Sequence, residues 1–306
     1  MRIWVPAKEI ADVLDGMPGV TVEIVNPDAD GQPARPASAA EVEFYVPPFF
    51  PSPASIAAMR HMPRLRVVQT LTAGIDRLRP HIGDGVVLCN ARGAHDAGTA
   101  EWVVAAILAS IRQFPYFAAE QAAARWCYRF TGALAGKTVL IVGYGSVGAA
   151  VERRLAGFEV QVLRAARGAR DGVSPVGDLP ALLPQADVVV LLAPVTPETV
   201  GMVDAAFLAR MKDGALFVNA ARGSLVVTDD LAAELRAGRL SAALDVTDPE
   251  PLPADHPLWA MPNLFITPHV AGSTPVSARS AAVFVRDQVQ RFRDGEPLRN
   301  VITGEY

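Results

Sequence analysis

Short runs of β-branched and aliphatic residues recur along the chain, separated by stretches in which apolar positions return every three or four residues. The first pattern is that of strands buried on both faces, the second that of helices with one apolar stripe. Strands are predicted at 3–5, 22–25, 42–46, 66–70 and 86–89. A long apolar helix over 99–113 follows and breaks near Pro115. A second set of six strands is predicted at 139–142, 159–163, 188–192, 216–219, 242–245 and 265–267. Such alternation predicts parallel sheets joined by right-handed crossovers, hence an α/β chain of two doubly wound domains. The last helix, 276–292, carries Ala278, Ala282, Val285, Val289 and Phe292 on one face and has no strand of its own to cover. It is expected to return to the first domain, so that 1–95 and 271–306 form one discontinuous domain and 96–270 the other. The Ala/Pro-rich stretch 32–40 reads as a loop.

The second set opens on a strand that runs straight into Gly143, Gly145 and Gly148, spaced G-x-G-x-x-G, with Val147, Val151 and Leu155 continuing at helical spacing. Strand, glycine turn and helix in that order place a dinucleotide diphosphate at a helix amino end, where backbone N–H groups and the helix dipole favour negative charge. Tyr144, Ser146 and Val147 belong to the same turn. A carboxylate that selects NAD by its ribose hydroxyls stands about twenty residues past the start of such a motif. Arg164 occupies that position here, at the expected end of the second strand, with Arg167 three residues on. A guanidinium pairs with a 2′-phosphate where a carboxylate repels it, so NADP(H) is the expected cofactor, with NAD(H) also accommodated. Read alone, the two arginines also fit a solvated loop.

A chain of 306 residues has room for two cores, and 51% hydrophobic with 20% charged residues is a globular composition. A net charge of −4 argues against a nucleic-acid surface. Two cysteines, Cys89 and Cys127, show neither metal spacing nor a disulfide framework. The amino terminus lacks the apolar core of a signal peptide, and the longest apolar runs are too short to cross a bilayer. The expectation is a cytoplasmic protein with no metal and no membrane partner.

Three polar clusters follow predicted strands of the second set, at the sheet edge where open α/β folds bind ligands. Arg222 follows Asn219 and Ala220, and a guanidinium there could hold a carboxylate and polarise a carbonyl. Asp245, Asp248 and Glu250 lie in a proline-stiffened loop, and His269 follows Pro268. Each alone also fits a structural role, as a surface arginine, an acidic turn or a satisfied histidine. Together they supply what carbonyl reduction needs: a carboxylate ligand in Arg222, a proton donor in His269, and in Glu250 a carboxylate that orients the imidazole and favours its charged form.

From about Val67 to about Gln288 the sequence resembles the D-isomer-specific 2-hydroxyacid dehydrogenases. The likeness lies in Leu71–Asp76, Cys89–His95, Thr99–Glu101, Leu134–Val139 leading into the glycine motif, Ala193–Thr199, His256–Trp259 and the three clusters above. The resemblance implies a Rossmann domain inserted into a flavodoxin-like substrate domain, and a homodimer built largely by the former. It implies that Arg222 binds the substrate carboxylate and carbonyl, that His269 is the acid/base, and that Glu250 is its partner. Thr72, Ala73 and Gly74 match the loop that holds the substrate carboxylate by backbone N–H groups. Asp245 matches the nicotinamide carboxamide ligand, and Ala193, Pro194, Thr199 and Ala220 match the wall of the cofactor site. Arg164 departs from the family's common Asp, and Ala73 stands where phosphite-oxidising relatives carry a lysine. The regulatory tail of phosphoglycerate dehydrogenases is not matched, and the glyoxylate/hydroxypyruvate reductase type is the nearest in kind. The expected reaction is NAD(P)H-dependent reduction of a small 2-oxoacid to the D-2-hydroxyacid. A cofactor-sensing co-repressor on the same fold is the rival, since such proteins share the trio. The 45–50 stretch suggests apolar walls for a substrate side chain or, equally, an ordinary strand-end loop.

Overall fold

The computed structural model describes residues 1–27 and 37–303, so positions 32–36 of the expected loop lie outside the described residues, and 37–40 begin a 3-10 turn. The chain divides into two compact units, Met1–His95 with Pro275–Tyr306, and Asp96–Thr274. The second crossing falls after Thr274 and not after 270. Backbone N–H groups of Val270 and Ala271 are bonded to Asp245, and Ser273 N–H to Val270, so this loop still belongs to the strand before it.

The first unit begins with β1 (Arg2–Val5), α1 (Lys8–Leu14), β2 (Thr21–Ile24), β3 (Val42–Tyr45), α2 (Pro53–Ala58), β4 (Val67–Gln69) and β5 (Val87–Cys89). Among the described residues these strands make a parallel sheet in the order β2-β1-β3-β4-β5, the flavodoxin-type winding.

The second unit holds α3 (Asp96–Ile111), α4 (Phe114–Ala122), β6 (Thr138–Val142), α5 (Ser146–Leu155), β7 (Gln161–Ala166), β8 (Ser174–Pro175), α6 (Leu179–Leu182), β9 (Val188–Leu191), α7 (Ala205–Ala209), β10 (Leu216–Asn219), α8 (Thr228–Arg236), β11 (Ser241–Leu244) and β12 (Leu264–Ile266). Its parallel sheet runs β12-β11-β10-β9-β6-β7-β8. That is the doubly wound order with a seventh strand added beyond β11. The sequence predicts six strands, because Ser174–Pro175 has no β-branched run. A proline is tolerated there because β8 is a sheet edge. The inner strands β6, β9 and β10 are almost wholly apolar because both of their faces are covered. Val139, Ile141, Val188 and Val190 pack into the core under α3 and α5, while Leu140, Val142, Val189 and Leu191 pack into the core on the other face.

Two helix boundaries differ from the sequence expectation. The break after α3 is made by Gln113 in a left-handed conformation (φ 55°), and Pro115 opens α4, where its missing N–H costs nothing. α9 (Pro275–Asp294) returns to the first unit, packing against α1 through Ala281, Ala282, Val285 and Val289. Ala278 is exposed, and the buried face is completed instead by Ser277 and Gln288. Gln288 is satisfied there: its amide donates to Gln69 Oε1 (2.8 Å) and to the Arg299 carbonyl (2.9 Å), and its own oxygen accepts from Arg299 N–H (2.8 Å).

Candidate active site

The glycine turn joins β6, an inner strand between β9 and β7, to α5. Gly143 has φ +95°, and a Cβ there would lie 2.3 Å from the backbone nitrogen of Ala193, so only glycine lets this turn lie against the end of β9. At Gly145, the N-cap of α5, a Cβ would meet nothing within 4 Å. No side chain caps the helix. The turn is therefore an open cradle of backbone donors at a helix amino end, which fits a dinucleotide diphosphate. Ser146 Oγ donates to Asp96 Oδ1 (3.1 Å), which ties the turn to α3. Ala193, buried, forms the floor beside Gly143. Pro194 and Thr199 shape the loop that follows, where Thr199 Oγ1 donates to the Pro194 carbonyl (2.7 Å) and accepts from Thr196 N–H (2.7 Å).

Arg164 is not at a strand end. It lies inside β7, opposite Ile141 of β6, because Glu159 adopts a left-handed conformation and shifts the strand to Gln161–Ala166. Its guanidinium forms a fork on Glu152 of α5, with Nε donating to Oε2 (2.8 Å) and Nη2 to Oε1. Tyr144 donates its hydroxyl to the same carboxylate. Hydrogen bonding to Arg164 holds the Glu152 carboxyl below the ordinary range, and hydrogen bonding to Glu152 raises the Tyr144 phenol. Arg167 is exposed, and the Glu198 carboxyl, lowered chiefly by hydrogen bonding to Thr196, also feels its charge.

Arg222, Glu250 and His269 follow β10, β11 and β12, three adjacent parallel strands in register, so all three lie beyond the same sheet edge. Asn219, the buried last residue of β10, shapes the Arg222 loop. Its side-chain oxygen accepts from Ala221 N–H (2.9 Å) and its amide donates to the Arg222 carbonyl (3.0 Å). A Cβ on Gly223 would lie 1.9 Å from the Thr247 carbonyl oxygen, so the Arg222 loop touches the loop bearing Glu250 only because residue 223 is glycine. That second loop is braced by Thr228 Oγ1 donating to the Asp248 carbonyl (2.8 Å) and by Trp259 Nε1 donating to the Pro253 carbonyl (2.8 Å).

His269 Nδ1 lies 2.8 Å from Glu250 Oε1. A carboxylate can only accept, so Nδ1 carries the proton and donates. His269 has φ 55°, a strained backbone for a non-glycine residue. Asp245 holds it there. Its carbonyl accepts from His269 N–H (2.7 Å), its Oδ1 from Thr267 Oγ1 (2.6 Å) and Val270 N–H (2.8 Å), and its Oδ2 from Ala271 N–H (2.8 Å). Asp245 is only 2% exposed, and one lone pair of Oδ2 remains for a further donor.

In the first unit, the 72–74 loop follows β4. The Thr72 carbonyl accepts from Ala91 N–H (2.9 Å) and Thr70 Oγ1 (2.7 Å), and the Ala73 carbonyl from Asn90 Nδ2 (2.8 Å). Because trans peptides point N–H and C=O oppositely, the N–H groups of Ala73 and Gly74 face away from these partners. Asn90, Asn219 and Glu152 are given no role by the sequence reading. Their signal is an asparagine at the end of a strand, or an acid about one turn past a glycine motif, which is faint beside the glycines themselves.

The family model described as D-isomer specific 2-hydroxyacid dehydrogenase, NAD binding domain, matches residues 104–271. The chain is 32% identical over 249 residues to a D-3-phosphoglycerate dehydrogenase of Archaeoglobus fulgidus, covering 78% of this chain but 47% of that protein. The chain thus spans about half the length of that relative. Among solved structures, a D-isomer specific 2-hydroxyacid dehydrogenase from Xanthobacter autotrophicus Py2 in complex with NADPH and MES is 31% identical, with a TM-score of 0.83 and coverage of 99% and 97% of the two chains. An NADPH-dependent glyoxylate/hydroxypyruvate reductase from Sinorhizobium meliloti in complex with NADP and sulfate is 30% identical, with a TM-score of 0.82 and 98% coverage of both.

Proposed function

This chain belongs to the D-isomer specific 2-hydroxyacid dehydrogenases, and we propose that it is an NADPH-preferring reductase of small 2-oxoacids of the glyoxylate and hydroxypyruvate type, forming D-2-hydroxyacids. The observation that carries this reading is the 2.8 Å His269–Glu250 pair on the same sheet edge as Arg222. The reduced nicotinamide, when bound, supplies a hydride to the keto carbon. Arg222 binds the substrate carboxylate and draws electron density from the carbonyl through its guanidinium. With Nδ1 committed to Glu250, His269 holds the transferable proton at Nε2 and delivers it to the developing alkoxide. In the first unit, the backbone N–H groups of Ala73 and Gly74, with Thr72, are assigned to binding a carboxylate. Asp245, with one lone pair of Oδ2 left, would hold the nicotinamide carboxamide when the cofactor is bound. The experiment is a steady-state screen of 2-oxoacids with NADPH and NADH. Turnover of glyoxylate or hydroxypyruvate with a lower KM for NADPH is expected, and no turnover of any 2-oxoacid with either cofactor would refute the reading.

We further propose a homodimer. Between α4 and β6, Trp126 is fully exposed, and Tyr128 and Phe130 are exposed by more than four-fifths, a concentration of aromatic surface that suits a second copy of the chain. Trp102 and Leu108 of α3 are partly buried in the unit's own core. Cytoplasmic residence is part of the same proposal and accords with two unpaired thiols, Cys89 and Cys127.

A further inference from the structure

The charge balance around the glycine turn points to a residue outside the expected nucleotide site. Three arginines, Arg164, Arg167 and Arg170, lie in β7 and the short turn that follows it. Arg164 is neutralised by the fork on Glu152. Arg167 is exposed and has Glu198 within its field. Arg170 sits differently. Its Nη2 donates to the main-chain carbonyl of Tyr144, a residue of the G-x-G-x-x-G turn itself, and its guanidinium carbon stands 5.7 Å from the centre of the Tyr144 ring. Among the described residues Arg170 has no carboxylate within ion-pair distance.

The turn that carries Arg170 is closed by reciprocal backbone bonds with Val173 (3.1 and 2.8 Å). Arg164 lies beneath it, with Nη1 3.5 Å from the Gly172 carbonyl and its guanidinium carbon 5.7 Å from the same Tyr144 ring. One arginine is thus buttressed by a carboxylate and packed under the turn. The other is held at the mouth of the glycine turn with its charge unbalanced.

We propose that Arg170 carries the charge that reads the adenosine 2′-phosphate, while Arg164, neutralised by Glu152, is a positioning residue for the turn bearing Arg170. This rests on the NADP(H) reading and refines it. A phosphate approaching Arg164 alone would also meet the Glu152 carboxylate, so the ion pair offers little net attraction. At Arg170 the guanidinium is exposed and can present a free edge to a phosphate.

The test is calorimetric binding of adenosine 2′,5′-bisphosphate and of 5′-AMP to the full chain, two probes that differ only in the 2′-phosphate. Wild type is expected to favour the bisphosphate by at least about tenfold, the scale of one charged contact. Arg170→Ala should bring that ratio close to one, and Arg170→Lys should recover part of it. Glu152→Gln should raise the ratio several-fold by releasing the charge of Arg164. A wild-type ratio near one would overturn the NADP(H) reading together with this inference. A wild-type preference that survives in Arg170→Ala would overturn this inference alone, and so would a Glu152→Gln ratio at or below wild type.

Discussion

The imidazole of His269 and the carboxylate of Glu250 meet at 2.8 Å although they belong to loops after different strands and stand nineteen residues apart. Their meeting depends on Asp245, which grips the backbone of His269, Val270 and Ala271. Glu250→Gln keeps the shape of the side chain but cannot offset an imidazolium charge. The expected outcome is a fall in kcat of roughly 10²-fold for 2-oxoacid reduction, with cofactor affinity unchanged. Steady-state kinetics beside fluorescence titration of NADPH would check it.

Arg222→Ala removes a charged electrophilic contact. A loss of about 3 kcal/mol or more in kcat/KM is expected. Turnover of glyoxylate, hydroxypyruvate and larger 2-oxoacids at near wild-type rates would show that Arg222 does not bind substrate.

Gly223→Ala drives a methyl group against the Thr247 carbonyl, backbone against which nothing flexible can yield. A destabilisation of about 1–3 kcal/mol is expected from the forced separation of the two loops, together with lost activity, since the Arg222 loop moves away from that of Glu250. Thermal unfolding and kcat/KM measured on the same preparation test both parts, and an unchanged melting temperature would contradict the contact.

Burial pushes the Cys89 thiol up to about 11, with a smaller opposing effect from Gln288. A thiol raised in the folded state contributes stability that is present below the ordinary thiol value of 9.0 and is lost as pH rises through about 11. Wild-type stability to urea should therefore decline between pH 9 and 11 more steeply than that of Cys89→Ala. At pH 9, iodoacetamide should label Cys89 far more slowly in the native protein than in urea, which mass spectrometry can read.

The exposed arm bearing Trp126, Tyr128 and Phe130 should be buried between two copies. Replacing Trp126 and Phe130 together by alanine is expected to raise the dimer dissociation constant by more than about tenfold. Sedimentation velocity over a dilution series would reveal it, and a wild-type protein that stays monomeric at every concentration would refute the dimer.

Local patterns were enough to read much of this protein. Apolar runs such as 139–142 and 188–191 mark strands covered on both faces, because burial on two sides leaves no room for polar alternation. Gly143 is legible because a positive φ and contact with Ala193 exclude any side chain. The order of strands and polar clusters likewise placed Arg222, Glu250 and His269 after three strands of one sheet. Other features lay beyond the sequence. β8 pairs by backbone alone, so its two residues carry no side-chain signal. On α9 Ser277 is buried and Ala278 exposed, a choice that apolarity alone does not make. The partner of Arg164 was decided in three dimensions, where Glu152 reaches it from α5. Local propensity and glycine sterics act within a few residues and can be read along a chain. Charge pairing depends on which side chains the fold brings within a few ångströms, and only the tertiary structure determines that.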